Sequence, residues 1–284
     1  MRHNCFRGVI TAVVLVGCGF AYGQVENPRV LFLSKSSGFQ HGVIKNDEDG
    51  TNHVGRTLKA LAEANNAELV STKDASMINA KTLEEFDLVI FYTTLNLTEE
   101  GSDGNPPMSE TGLAELQEWI KKGGAFMGYH CATDTFHGEG DEVTPYIEML
   151  GGEFKAHGRQ FEGTVKVVDP THPAMLATPQ DWLIEDEWYV FKNLNKEKIH
   201  VLALLDPGSE RENHKLYDAP NYPIIWVSTL GEGRIYYNAQ GHREDVWSNP
   251  DFQNTVLIAA TWALGNGPAQ AEPNYDEVVK DGEE

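Results

Sequence analysis

The sequence predicts an α/β protein in which a mostly parallel central sheet is covered by helices on both faces. Short apolar runs such as RVLFL (29–33), FDLVIFYTT (86–94) and AFMGY (125–129) have the length and composition of buried strands. Amphipathic helical patterns separate these runs along the chain. Strands that alternate with helices are joined by right-handed crossovers, which places a parallel sheet between two helical layers.

Two helices are predicted from the spacing of their apolar residues. The second should end at Gly123, because basic residues precede that position and glycine readily adopts the left-handed conformation of a helix cap. A third helix, 251–264, is expected to pack back onto the sheet. The apolar faces consist of Val54, Leu58, Leu61 and Ala62 in the first helix and of Leu113, Leu116 and Ile120 in the second.

The C-terminal half is richer in strand patterns than the N-terminal half. We expect additional strands there, separated by Pro and Gly. The predicted strands are GTVKVV (163–168), HVLALL (200–205), PIIWVS (223–228) and GRIYYNA (233–239).

The chain carries 22 Lys plus Arg against 43 Asp plus Glu, a net charge of -21 at pH 7. Charge of this sign repels phosphate backbones over long distances, so nucleic acid is not an expected partner. At 284 residues the chain is long enough for one large domain. We expect that domain to span 28–266 and to be followed by an acidic tail, 267–284, that is solvated and mobile.

The first 23 residues have the layout of a secretory signal. Basic residues precede an apolar run, 8–17, and small residues follow up to Gly23, the expected cleavage site. We therefore expect an exported protein, periplasmic or extracellular, with no transmembrane helix in the mature chain. The segment LVGC (15–18) supports an alternative, in which cleavage precedes Cys18 and that residue carries a lipid anchor. Cleavage at Gly23 would leave Cys131 as the single cysteine and exclude an intrachain disulfide.

A sharp strand-to-helix elbow is predicted at Gly128-Tyr129-His130-Cys131-Ala132. Small residues on both sides of the apex let the backbone turn tightly and lift the apex side chain above the edge of the sheet. The spacing places His130 at the apex. Cys131 then faces the core, where a lone thiol is usually an inert apolar group.

Several motifs follow one another with a specific order and spacing: SGFQH (37–41), GGAFMGYHCATDTF (123–136), YIEMLGGEF (146–154) with His157, DPTHP (169–173), DEWY (186–189) and GEGRIYYNAQGH (231–242). Together they resemble the ThuA family, the trehalose-utilisation-like proteins related to class I glutamine amidotransferases, from about Arg29 to Gly265. The resemblance implies a flavodoxin-like, class I glutamine amidotransferase-like three-layer sandwich and a role in carbohydrate use. Amidotransferases of that superfamily have a nucleophilic cysteine at the elbow apex, where this sequence has His130. Glutamine amidotransferase activity is therefore not expected.

Four histidines follow strands or turns at the predicted active edge of the sheet: His41, His130, His157 and His242. Imidazoles from separate loops suit either acid/base chemistry near neutral pH or a divalent metal such as zinc, for which all four are candidate ligands. Both alternatives stay open, because the sequence contains no HxH or HExxH pair. We expect His172 to be a structural turn residue. The remaining histidines expected on surfaces or loops are His53, His137, His200 and His214.

Two carboxylates are candidate partners of these imidazoles. Asp134 follows the elbow apex by four residues, so it either orients an imidazole or stabilises the first helical turn. In DEWY, Glu187 is favoured over Asp186, because adjacent strand residues point to opposite faces. A carboxylate beside aromatic rings can act as a general acid, and Trp188 and Tyr189 are candidate sugar-stacking rings.

We therefore expect an enzyme that processes a small carbohydrate, a disaccharide such as trehalose or an oxidised derivative, by hydrolysis or elimination. The predicted catalytic residues are His130, His242, Glu187 and Asp134, and the predicted substrate-binding residues are His41, His157, Tyr189 and Trp188. One alternative is a non-catalytic sugar-binding module, for which the four histidines would be scattered. Another is a cysteine-dependent amidase-like hydrolase that uses Cys131, His242 and Glu244, for which Cys131 would be accessible to solvent.

Overall fold

The computed structural model describes residues 25–102, 104–218 and 221–279. The predicted signal segment, 1–23, lies outside the described residues, and so does Cys18. Among the helices that are described, none combines the length and the apolar character that crossing a bilayer requires.

The described residues contain eleven β-strands and eight α-helices. The strands are β1 (Arg29–Leu33), β2 (Glu68–Thr72), β3 (Leu88–Phe91), β4 (Ala125–Tyr129), β5 (Glu153–His157), β6 (Phe161–Val167), β7 (Asp181–Asp186), β8 (Tyr189–Lys192), β9 (His200–Asp206), β10 (Tyr222–Leu230) and β11 (Gly233–Asn238). The helices are α1 (His53–Ala64), α2 (Ala80–Leu83), α3 (Gly112–Lys121), α4 (Pro145–Leu150), α5 (Glu210–Asn213), α6 (Glu244–Ser248), α7 (Pro250–Ala263) and α8 (Tyr275–Val278).

Nine of the described strands form one mixed sheet in the order β2-β1-β3-β4-β11-β10-β9-β6-β7. The strands from β2 to β11 in that order are parallel, and every pairing from β11 to β7 is antiparallel. The predicted α/β class, with additional strands in the C-terminal half, is confirmed. Because parallel strands end at the same edge, the loops after β1, β4 and β11 meet at one place, the usual position of a site in this class.

Helices cover both faces of this sheet. Tyr236 of β11 lies 6.1 Å, between ring centroids, from Tyr129, which in turn lies 6.2 Å from Phe252 of α7. Tyr237, the residue after Tyr236 in β11, lies on the other face, where it and Leu150 of α4 both approach Gly128. Because adjacent strand residues point to opposite faces, α7 and α4 lie on opposite sides of the sheet.

The predicted helices begin and end for local reasons. The side chain of Asn52 accepts a hydrogen bond from the Gly55 N–H at the start of α1. Helix α3 ends at Lys121, and Gly123 follows with φ 109°, as the basic residues and glycines predict. The predicted apolar faces point inwards: Leu58 and Leu116 are buried.

The described part of the acidic tail, 267–279, packs against the domain. The indole N–H of Trp262 donates to the Pro268 carbonyl at 3.2 Å, and the Asn274 side chain accepts from the Val201 N–H at 2.6 Å. A hydrogen bond of 3.2 Å joins His172 Nε2 to the Ala269 carbonyl. These contacts place the described part of the tail on the surface of the domain.

His172 is a buried turn residue, as predicted. Its Nδ1 accepts from the Ala174 N–H at 3.1 Å, and its ring lies 5.4 Å from that of Trp262. Burial, followed by the proximity of His200, lowers the pKa of His172 to about 4. The unfolded chain therefore takes up a proton at this residue between about pH 6.5 and 4, while the folded chain does not.

The His172→Asn variant is expected to lose less stability than the wild type on acidification. Asparagine can still accept from the Ala174 N–H, but it does not titrate. The free energy of unfolding is measured with urea at pH 7 and at pH 4.5. Its decrease between these two pH values should be about 2 kcal/mol smaller in the variant than in the wild type. Equal losses in both proteins would show that His172 does not set this pH dependence.

Candidate functional site

His130 lies at the apex of an elbow directly after β4. Its φ is 44°, a left-handed conformation that is uncommon for residues other than glycine. The elbow is tight: a Cβ on Gly128 would lie 3.0 Å from the Ala132 Cβ and 3.3 Å from Leu150 Cδ1. Only small residues fit around such a turn. The structure therefore has the predicted elbow, with His130 and not Cys131 at its apex.

The His130 ring is oriented by the backbone. Its Nδ1 lies 2.8 Å from the carbonyl oxygen of Ala239. Because a carbonyl oxygen can only accept, Nδ1 carries the proton and Nε2 is directed elsewhere. Nε2 lies 3.3 Å from His242 Nδ1 and 3.5 Å from Glu187 Oε2. An imidazole that donates one N–H to a backbone carbonyl is typical of a ring that binds a metal through its other nitrogen.

Asp186 holds the loop that carries His242. Its buried carboxylate accepts from the backbone N–H groups of Gly241 at 2.7 Å, His242 at 3.1 Å and Glu187 at 2.9 Å. The indole of Trp247 donates to the Gly241 carbonyl at 2.8 Å, and Gly241 has φ 113°. Sequence reasoning missed this role, because it treated Asp186 only as the rejected alternative to Glu187.

Glu187 is the carboxylate that meets the imidazoles. Its Oε2 lies 3.1 Å from His242 Nδ1, and its Oε1 lies 3.2 Å from His157 Nδ1. One potential ligand atom from each of His41, His130, Glu187 and His242 can be chosen so that all four lie within 4.8 Å of one another. We call these four residues the His/Glu centre. They follow different strands, so the topology of the sheet brings them together.

His41 is a buried imidazole of the centre, and its pKa is strongly lowered. Its ring lies 4.9 Å from the ring of His130 and 5.2 Å from that of His242. Its Nε2 lies 3.3 Å from the Tyr189 hydroxyl, and its buried Nδ1 has no hydrogen-bond partner. Burial, followed by the two neighbouring imidazoles, lowers the pKa of His41 to about 2. His41 is therefore neutral and able to offer a lone pair.

His157 and Tyr189 lie at the rim of the centre, where β5 and β8 form a separate two-stranded sheet. The Tyr189 ring lies 4.2 Å from that of His130 and 5.8 Å from that of His157. The His157 side chain is 41% exposed, and its Nδ1 also lies 2.9 Å from the Gly158 carbonyl. His157 therefore connects the buried residues to solvent.

Two predicted site residues lie away from both the His/Glu centre and its rim. Asp134 pairs with His137 at 2.5 Å, and His137 contacts Glu153 at 2.7 Å, so Asp134 belongs to a separate charged cluster. Trp188 is fully buried, and its indole donates to the Phe161 carbonyl at 3.0 Å. It packs in the core and presents no face to a ligand.

The cysteine-dependent alternative is contradicted by the position of its nucleophile. Cys131 is fully buried, and burial raises the pKa of its thiol well above the ordinary value. Glu244, at the start of α6, is exposed. A buried, protonated thiol is a poor nucleophile, so this arrangement does not activate Cys131.

The electrostatics of the centre suit a cation. Burial acts to raise the pKa of Glu187, but the nearby imidazoles of His130 and His242 outweigh it and hold this pKa well below the usual range. The centre thus combines an ionised carboxylate with imidazole nitrogens, among them the unpartnered Nδ1 of His41. Three nitrogen donors and one oxygen donor fit zinc or a similar divalent metal.

Two open grooves lie on the surface, and one of them reaches the centre at His242. The first, of about 650 Å³, is lined by His242 together with His53, Gln160 and Arg243. The second, of about 500 Å³, is lined by residues that include Leu95 and Phe136. Both lie within the roughly 300–1,000 Å³ that small-molecule sites occupy.

The fold and the site define an α/β protein with a buried His/Glu centre at the carboxyl edge of its sheet. The family model of ThuA, described as trehalose utilisation, matches residues 29–263. The chain belongs to this family.

Solved structures share the fold. A ThuA-like protein from Parabacteroides merdae ATCC 43184 has a TM-score of 0.63 at 16% identity, covering 90% of this chain and 97% of its own. One from Bacteroides uniformis ATCC 8492 has a TM-score of 0.61 at 17% identity, covering 90% and 99%. A cytoplasmic protein from Salmonella typhimurium has a TM-score of 0.52 at 11% identity, covering 82% and 98%. No curated protein matches the chain.

Proposed function

We propose that this ThuA-family protein is an exported enzyme that cleaves a disaccharide of trehalose type, or an oxidised derivative of one, by hydrolysis or elimination. The observation that carries the proposal is the His/Glu centre, in which three imidazoles and one carboxylate from distant segments meet beside an open groove that His242 lines. A sugar-binding module has no need to gather these groups, so the convergence favours catalysis. The signal-like segment, 1–23, supports export, and LVGC supports a lipid anchor at Cys18 as the alternative.

The proposed cofactor is a divalent metal such as zinc, held by His41, His130, Glu187 and His242. A cation bound there supplies Lewis acidity to an oxygen of the sugar. His130 is kept in the required tautomer by the Ala239 carbonyl, which accepts from its Nδ1.

The residues at the rim are placed for proton transfer. The Nδ1 of His157 lies near the carbonyl of Gly158 and the carboxylate of Glu187, which leaves Nε2 of this partly exposed ring to exchange a proton with substrate or water. The Tyr189 hydroxyl lies 3.3 Å from His41 Nε2, and its ring lies 4.2 Å from that of His130, so Tyr189 contacts two imidazoles of the centre.

The proposal is tested by elemental analysis of the purified protein combined with an activity screen of ordinary and oxidised disaccharides. We expect about one divalent metal per chain, loss of turnover after chelation and recovery when zinc is added. Full turnover by metal-free protein would refute the metal assignment. The absence of turnover on every sugar by the metal-loaded protein would refute the enzymatic proposal.

A further inference from the structure

An aromatic side chain beside the His/Glu centre is exposed, and so is an apolar side chain of the neighbouring segment. Phe39 is 67% exposed and Leu95 is 39% exposed, although large hydrophobic residues in the described part of the chain are mostly buried. The Phe39 ring lies 4.9 Å from the His41 ring, in an edge-to-face arrangement. An exposed aromatic ring against a residue of the centre is not explained by packing, and exposed apolar surface rimmed by polar groups commonly contacts a ligand.

The backbone that carries Phe39 is fixed. The carbonyl of Phe39 accepts from the Thr94 hydroxyl at 3.0 Å, and the N–H of Ser37 donates to the Thr94 carbonyl at 3.2 Å. Ser36 and Thr94 form an isolated parallel bridge, which continues the pairing of β1 and β3 past their ends. The ring is therefore presented by an ordered segment, so little conformational entropy is lost when a ligand contacts it.

Leu95 is held beside this segment in a strained conformation. Its φ is 57°, which is rare for a bulky residue. Its N–H donates to the Asp134 carbonyl at 2.7 Å, and its carbonyl accepts from the Phe136 N–H at 3.0 Å. A Cβ on Gly38 would lie 2.2 Å from Leu95 Cδ1, so the Leu95 side chain packs directly against the Gly38 backbone. Strain that surrounding hydrogen bonds maintain is common at ligand sites.

We propose that Phe39, flanked by Leu95, is a stacking platform for one pyranose ring of the substrate. A pyranose presents C–H groups on its faces and hydroxyls at its edge, so a face packs on an aromatic ring while the hydroxyls stay hydrogen-bonded. Trp188, predicted for this role, is buried, whereas Phe39 is open to solvent beside His41. This inference rests on the proposed function, because it takes the substrate to be a sugar.

The test is calorimetric binding of trehalose and oxidised trehalose to the metal-loaded protein and three variants. Phe39→Ala should raise the Kd about tenfold, as loss of one stacking contact does for other ring ligands. Phe39→Trp should keep the Kd within about twofold, because the indole supplies the same kind of face. Leu183→Ala is the matched control, since Leu183 is also exposed but lies on β7 and should leave the Kd unchanged.

The outcomes separate this inference from the proposed function. An unchanged Kd in Phe39→Ala, an equal loss in Leu183→Ala, or a wild-type protein that binds neither sugar would overturn the platform. Wild-type protein that binds sugar through Phe39 without converting it would refute the enzymatic proposal and leave the platform standing. Thermal midpoints of all variants should match the wild type, because Phe39 is mostly exposed.

Discussion

Glu187→Gln is expected to lower turnover and metal affinity by at least about 100-fold while the protein stays folded. The carboxylate faces imidazole nitrogens of His130, His157 and His242 at 3.1 to 3.5 Å, so it is the main negative charge available to a cation there. Glutamine keeps the shape but removes that charge. Metal content by elemental analysis and kcat on the converted sugar measure the two effects.

The matched control for this substitution is Glu185→Gln. Glu185 is two positions earlier, is half exposed and pairs with Arg243 at 3.3 Å, away from the His/Glu centre. Because exposed ion pairs contribute little, this variant should keep its metal and its kcat. If Glu187→Gln bound metal as tightly as Glu185→Gln does, Glu187 would not be a ligand.

Asp186→Asn is expected to destabilise the protein by about 3 kcal/mol and to reduce kcat as well. The buried carboxylate accepts three backbone N–H bonds, and an amide group can direct only one oxygen towards them. Its NH₂ group would then face an N–H donor. The thermal midpoint should fall by roughly 6–12 °C, given about 2–4 °C per kcal/mol for a domain of this size.

The control for this effect is Asp181→Asn, at the exposed start of the same strand, β7. It should leave the thermal midpoint and kcat unchanged, because a solvated carboxylate contributes little to stability. If Asp186 positions the loop of the centre, the Asp186→Asn variant should have a reduced kcat even when it is metal-loaded and assayed at a low temperature at which it stays folded. A variant with a reduced midpoint but wild-type kcat would show that Asp186 only stabilises the fold.

The sequence predicts the architecture well, because buried parallel strands have a recognisable pattern. RVLFL and AFMGY correspond to β1 and β4, and the late strand patterns correspond to β6, β9, β10 and β11. The order of the strands and the separate β5–β8 pair depend on contacts between distant segments, which periodicity does not encode. Position after a strand or turn selected four histidines, of which three lie in the His/Glu centre and the fourth, His157, lies at its rim.

The two predicted side chains that lie away from the centre and its rim have local explanations. Asp134 would lie one turn from His130 in an α-helix, but the elbow continues as a 3-10 turn, 130–134, with three residues per turn. Adjacent residues of an extended segment point to opposite faces. Glu187 and Tyr189 face the imidazoles, so Trp188, which lies between them, faces away. Phe39 gave no signal, because its exposure depends on the tertiary structure.

The contacts that build the His/Glu centre span long stretches of chain. His130 meets His242 across 112 positions, and His41 meets Tyr189 across 148. An unfolded chain brings none of these groups together, so it offers a cation no preformed pocket. For a chain that folds after export, the ions present in that compartment, and not the cytosolic metal supply, would then decide which element the protein acquires.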